Sequence, residues 1–217
     1  MNTSVSEPIE SVTERLRMRQ WRGDDREPFA RLNADPRVMA FFPKPLGRLE
    51  SDAMAERIES RIAENGWGFW AVERLDNHEF IGFVGLNHPA PELPCSPCVE
   101  VGWRLAFEHW GKGYATEAAT RALKIGFASL GLAEIVAFTP AGNVRSRAVM
   151  ERLGMRETGG IFDHPHVPDG SGLRQHCLYR LTRADWASML PDRAPGSSPR
   201  ACSATPPGPA QSPWKRR

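Results

Sequence analysis

No stretch of this chain is apolar for long enough to cross a membrane; none approaches the roughly 18 consecutive apolar residues that a bilayer demands. Cysteine is scarce, with Cys95, Cys98, Cys177 and Cys202 in 217 residues. Cys95 and Cys98 form one C-x-x-C unit, and the second pair that a structural zinc site needs is missing, so no metal is expected. Charge of one sign is missing too. Twenty-eight Lys and Arg face 26 Asp and Glu, a formal net charge of +2. That balance argues against nucleic acid or a membrane surface as partner. Met1–Glu14 has no apolar core of the secretory kind and carries Glu7, Glu10 and Glu14, so a cytoplasmic protein is expected. No internal repeat is visible.

Enough remains for one sizeable core: 41% of residues are hydrophobic. Residues 1–12 are expected to be a disordered N-terminus and 13–190 one domain. Residues 191–217 are rich in Pro, Ser, Ala, Gly and Arg, and are expected to be a disordered tail because they bury too little apolar area to offset chain entropy.

Within the body, Leu16–Arg19 alternates as a strand does, and Asp24–Ala34 reads as a helix that Asp35-Pro36 interrupts. Ser51–Glu64 is an amphipathic helix with Met54, Ile58 and Ile62 on one face. Phe69–Val72 and Phe80–Val84 flank a turn at Asp76-Asn77. In the next strand Val99, Val101, Trp103 and Leu105 alternate with Glu100, Gly102 and Arg104, which predicts one buried face. A helix over Thr116–Leu130 carries a small-residue stripe of Ala115, Ala119, Ala122 and Gly126, with Gly131 as its C-cap. Glu134–Thr139 reads as a strand. Asn143 caps a helix that ends at Leu153, and Gln175–Leu181 is a last strand. The order β-α-α-β-β-β-α-β-α-β predicts an α/β fold, a mixed sheet with helices on both faces.

The richest stretch is Trp110-Gly111-Lys112-Gly113-Tyr114-Ala115-Thr116, between a strand and a helix. Glycine permits the positive φ of a tight curl, and bare N–H groups leading into a helix N-terminus form a phosphate cradle. Three nucleotide motifs fail here. Lys112 is followed by Gly113, not the Ser or Thr of a Walker loop. A dinucleotide fingerprint finds Thr116 in place of its third glycine, and Thr139-Pro140 where its acidic residue should be. The lysine strand and H-R-D loop of a kinase are absent.

The loop Trp110-x-x-Gly113-x-Ala115, after Val99-Glu100-Val101-Gly102-Trp103, resembles the acetyl-CoA loop of the GNAT superfamily of N-acetyltransferases. Asn143-x-x-Ser146-x-x-Val149-Met150-x-x-Leu153-Gly154-Met155 resembles that family's following helix. The likeness covers about residues 13–185. Phe162-Asp163-His164-Pro165 and Gln175-His176-Cys177-Leu178-Tyr179 are most similar to the ribosomal-protein N-terminal acetyltransferase subgroup. The resemblance implies a three-layer fold around a mixed, mostly antiparallel sheet of six to seven strands with helices on both faces, and acetyl transfer from acetyl-CoA to a primary amine, on a peptide N-terminus or a small molecule, by direct attack in a ternary complex. A catalytically silent acyl-CoA-binding module on the same fold is the alternative. Either a monomer or a homodimer fits.

On this reading the donor binds through Trp110, Gly111, Lys112, Gly113, Tyr114, Ala115 and Thr116, chiefly by backbone N–H groups. The resemblance implies an oxyanion site on the backbone of Val101, Trp103 and Leu105, where their strand splays from Glu134–Thr139. It also implies contact of Asn143 with the pantetheine arm. Trp110 stands where many relatives begin the loop with Gln or Arg. Met150 stands where many carry a tyrosine that protonates the departing thiolate, so that role is vacant or moved.

Amine acetylation also needs a base. Glu100 is the first candidate because it alternates away from the apolar face; His164 and His166 are the others, since histidine titrates near neutrality. Ser146 offers a hydroxyl for the leaving sulfur. Trp67, Trp70, Phe41 and Phe42 are candidates for lining an acceptor pocket, although core packing is the commoner use of such residues.

Overall fold

A computed structural model describes residues 7–190. Eight strands form one sheet in the order β1-β2-β3-β4-β5-β6-β8-β7. They are β1 (Ser11–Val12), β2 (Leu16–Arg19), β3 (Phe69–Arg74), β4 (Phe80–Asn87), β5 (Glu100–Leu105), β6 (Glu134–Pro140), β7 (Arg156–Asp163) and β8 (Gln175–Thr182). The α-helices are α1 (Arg26–Ala34), α2 (Arg48–Asn65), α3 (Tyr114–Lys124), α4 (Val144–Arg152) and α5 (Arg183–Met189). All neighbouring strands are antiparallel except β5 and β6. The expected mixed α/β architecture is present, with eight strands instead of six or seven.

The two added strands are the ones with no apolar alternation. β1 has two residues, pairs Ser11 with Met18 and Val12 with Arg17, and so carries the ordered body past the expected edge at Thr13. β7 is an outer strand with almost every residue exposed and a register shift between Glu157 and Ile161. The tail beyond residue 190 lies outside the described residues, as does Cys202.

Helices α1 and α2 cover one face of the β2–β5 half, where Phe29 of α1 meets Phe83 with ring centroids 6.0 Å apart. Helix α3 covers the opposite face. Its small-residue stripe permits close approach: a Cβ on Gly126, just beyond α3, would lie 2.6 Å from Ile135 Cδ1. The core joins both layers through Trp70, Ile81, Leu86, Ala118, Leu123 and Ile135. Trp70 is fully buried there, as a core residue.

Candidate functional site

The sheet is split where its one parallel pair lies. Strands β5 and β6 meet at a single register position, Glu100 opposite Val136, beside the bond from Val136 N–H to Val99 C=O at 2.9 Å. From there the strands diverge. The bond from Ala106 N–H to Ile81 C=O fixes the phase of β5 against β4. Even-numbered residues bond toward β4, so Trp103 and Leu105 direct their N–H and C=O groups into the opening. Val101 is the corresponding residue nearest the bridge.

One end of the opening holds the glycine loop. Gly111 and Gly113 have φ of 73° and 83°, the left-handed region that only glycine adopts at no steric cost. Gly113 is the N-cap of α3, so the helix begins two residues earlier than expected. Among the described residues, none of the six N–H groups from Gly111 to Thr116 meets a protein acceptor; Glu117 N–H is the first to bond back, to Gly113 C=O at 3.0 Å. Arg15 holds the loop from behind. Its Nη1 donates to Lys112 C=O at 3.0 Å, its guanidinium pairs with Glu117, and it lies 4.7 Å from the Tyr114 ring centroid. Pairing with Arg15 keeps the Glu117 charge from facing the loop unopposed. Lys112 is exposed, Tyr114 is buried, and Ala115 and Thr116 are half-buried.

Trp110 is a positioning residue, not a phosphate donor. Its indole N–H donates to Leu105 C=O at 2.8 Å, tying the end of β5 to the loop. The Arg145 guanidinium lies 5.1 Å from its ring centroid. A guanidinium from α4 therefore stands beside the first residue of the loop, a neighbour that sequence reasoning missed.

On the other wall, Asn143 caps α4 and accepts from Ser146 N–H at 3.3 Å. Its amide donates to Thr139 Oγ1 at 2.9 Å and to Ser146 Oγ at 3.1 Å. Ser146 thus receives a hydrogen bond at oxygen and keeps its own proton to give. Met150 is buried in the core, so no side-chain acid replaces the tyrosine at that position.

Glu100 sits at the bridge itself. Asn87 Nδ2 donates to its Oε1 at 2.7 Å, and Arg61 Nη1 in turn donates to Asn87 Oδ1 at 2.6 Å. Burial pushes the Glu100 carboxyl up to about 7, against the opposing pull of Asn87 and Arg61. Asn87 was not singled out in the sequence, because its role depends on the register of β4 against β5.

Residues opposite one another in register share a face of the sheet. Glu100, Val136, Phe138, His176 and Phe162 therefore lie on the same face. His164 packs on His176 with ring centroids 4.7 Å apart. Burial, with His176 and His166 nearby, lowers the His164 pKa to about 4, which leaves a neutral but feeble base. His166 lies farther out, and its N–H donates to His164 Nδ1 at 3.2 Å.

A roof crosses the opening on this face. It is the link between α1 and α2. Phe42 packs on Arg104 of β5, with the guanidinium 4.0 Å from its ring centroid. Phe41 reaches the loop after β6, where a Cβ on Gly142 would lie 3.9 Å from its ring. Trp67 stands apart, half-buried against His88. Two surface depressions, of about 420 and 330 Å³, lie beside α1 and away from the cradle, and in both arginines already face carboxylates.

The fold and this loop together define an α/β protein built on a split sheet with a glycine loop of unpaired N–H groups at its mouth. The chain belongs to the GNAT acetyltransferases: residues 15–156 match the family model described as an acetyltransferase (GNAT) domain. A curated relative from Aspergillus fumigatus, named FsC-acetyl coenzyme A-N(2)-transacetylase, is 30% identical over 186 residues, covering 82% of this chain and 77% of its own. The crystal structure of a GNAT-family acetyltransferase from Bacillus anthracis superposes with a TM-score of 0.68 at 25% identity, covering 81% of this chain and 99% of that one. A ribosomal-protein-S5-alanine acetyltransferase from Vibrio fischeri has the same fold, with a TM-score of 0.64 at 20% identity over 82% and 98% of the two chains. The protein is an N-acetyltransferase, and acetyl-CoA is its donor. No described helix is long and apolar enough to cross a membrane.

Proposed function

We propose that the opening between β5 and β6 is where this protein transfers acetyl from acetyl-CoA to a primary amine, by direct attack with both substrates bound. The observation that carries this reading is the run of six unpaired N–H groups from Gly111 to Thr116, at the head of α3 and beside the split. Those donors suit the diphosphate of a coenzyme, because a helix N-terminus favours anions by about 0.3–1 kcal/mol in an exposed setting. Lys112 in the loop and Arg145 beside Trp110 add positive charge.

Acetyl-CoA supplies the acetyl group as an activated thioester; the chain supplies position and proton traffic. The backbone N–H of Trp103, with Val101 and Leu105 flanking it, aims into the opening and offers hydrogen bonds to a carbonyl oxygen that gains charge. Glu100 is the base: a carboxylate poised near neutrality takes the proton of an incoming ammonium group directly or through one water. Ser146, oriented by Asn143, gives a proton or hydrogen bond to the sulfur. Among the described residues no Cys–His or Ser–His couple stands in the opening, which favours direct transfer over a covalent acyl-enzyme. The acceptor enters from the face that carries Phe41, Phe42, Phe138 and His176. Free thiols at Cys95, Cys98 and Cys177 accord with the cytoplasmic location expected from the sequence.

Coenzyme A titrated by calorimetry into the wild type and Gly113→Val tests the cradle. Binding to the wild type, weakened at least about tenfold in the folded variant, is the expected result; equal affinity removes the cradle from the reading.

A further inference from the structure

Arg104 is the buried charge that the fold does not answer. It projects from β5 on the same face as Glu100 and is 9% exposed. Its Nη1 donates to Asn33 Oδ1 at 2.7 Å and lies 3.6 Å from Met54 Sδ. Its Nε has no partner. The ring centroids of Phe42 and Phe83 lie 4.0 and 5.6 Å from the guanidinium. Among the described residues no carboxylate lies within ion-pair distance of it. The contrast is Arg19, buried as deeply but paired with both Asp25 and Glu73 at 2.7 Å. Burial without a counter-charge pulls the Arg104 pKa down to about 10, where Arg19 is pushed up by its partners.

A guanidinium taken out of water without an anion is costly, and such groups are normally paired. Cation–π contacts with Phe42 and Phe83 offset part of that cost and leave the charge unneutralised. Arg104 sits beneath Phe42, in the link that also carries Phe41 to Gly142 across the split. It stands four residues along β5 from Glu100, a strand distance of about 13 Å. The Trp103 backbone lies between them.

We propose that Arg104 is a specificity residue whose missing counter-ion is a carboxylate on the acceptor, so that the substrate class is a small amino acid carrying a free carboxylate beside its amine. This deepens the acetyl-transfer reading of the same opening and rests on it. An arginine fork matches a carboxylate in two hydrogen bonds, which a carboxamide cannot reproduce. Asn33, itself held by Ser51 through a 2.9 Å bond, fixes the guanidinium from the α1 side. Phe42 closes over the pair and excludes water, which strengthens the interaction. The carboxylate and the Trp103 backbone together set which nitrogen faces the thioester.

The test measures kcat/KM by release of coenzyme A thiol, with glycine, alanine and phenylalanine each set against its own carboxamide. Wild type, Arg104→Gln and Arg104→Lys are compared after circular dichroism and coenzyme A titration show each to be folded. The wild type is expected to favour the acids. The acid-to-amide ratio is expected to fall roughly 10- to 100-fold in Arg104→Gln, mainly through KM, with Arg104→Lys between them. A ratio unchanged in folded Arg104→Gln overturns the proposal. A second readout needs no turnover: propionate, with propionamide as control at fixed ionic strength, is titrated against the melting temperature of each protein. A rise confined to propionate and lost in Arg104→Gln supports the assignment, and equal responses in both proteins sink it. If no amine is acetylated, the transfer reading fails, and the propionate titration alone decides the role of Arg104.

Discussion

At the residue scale Glu100, proposed above as the base, has an environment that fixes a direction for pH. Burial raises its pKa from 4.5 to about 7. As a base it must be ionised, so kcat/KM should rise as pH climbs through about 7. Glu100→Gln should lower kcat by about 10²–10⁴-fold and flatten that limb; a pH–rate profile of the two proteins checks both. The same shift makes a stability claim of opposite sense. A carboxyl whose folded pKa is raised favours the fold fully below its unfolded value of 4.5, and that contribution is lost as pH rises through about 7. Denaturant midpoints should therefore show the wild type losing ground relative to Glu100→Gln between pH 5 and 8. Met150 gives a second residue-scale expectation. It is 2% exposed and packed in the core, so Met150→Tyr, which places a hydroxyl at the position where the family resemblance expects one, overpacks the site. It should cost about 1–3 kcal/mol in a urea titration without raising kcat; a gain in kcat would show that this position still faces the sulfur.

Elements differ in how far the sequence disclosed them. The loop before α3 was plain because its constraint is local: two positive-φ positions need Gly111 and Gly113, and a helix start leaves its own N–H groups bare. Strand β7 was hidden because it is exposed along its length and carries Gly159 at φ 76°, so it shows neither alternation nor β-branched enrichment. It exists because β8 offers it an edge. Strand β5 misled in one respect. Its alternation assigns Arg104 to the polar face, and it is only the packing of α1 and α2 on that face that buries it. The split from β6 was likewise invisible, since register is a property of two strands. At this scale Gly111→Val and Gly113→Val should both weaken coenzyme A, by forcing a β-branched residue to a left-handed φ. That strain costs roughly 1–2 kcal/mol. A Cβ at Gly111 meets nothing within 4 Å, whereas one at Gly113 lies 3.4 Å from Arg15 Nη2. That is an ordinary van der Waals contact with the end of a flexible side chain, so backbone strain sets the loss in both variants, and thermal melts side by side should show similar decreases.

For the whole molecule, the decisive property is that the two halves of the sheet are joined at one register pair, Glu100 with Val136. Strands β1–β5 form one continuous ladder and β6–β8 another. Along the diverging part of β5, no neighbouring strand satisfies the inward-facing N–H and C=O groups beyond the bridge. A donor lying in the split as proposed, with its phosphates on residues 111–116, would touch both ladders at once. It supplies partners to groups that the sheet leaves open. Binding to the folded state alone stabilises it by about 2.7 kcal/mol at a ligand concentration a hundred times Kd. For a chain of this size that is a rise in melting temperature of roughly 5–10 °C. Amide hydrogen exchange should slow with coenzyme A present, foremost at residues 111–116 and at Trp103, and less at the outer strand β7. Protection spread evenly over the sheet, or concentrated on β7 and β8, would place the ligand elsewhere and separate the split from the function given to it. The comparison of coenzyme A with acetyl-CoA then asks whether the thioester adds protection at Trp103 N–H. If the backbone of β5 binds the acetyl carbonyl, only the acylated form should do so.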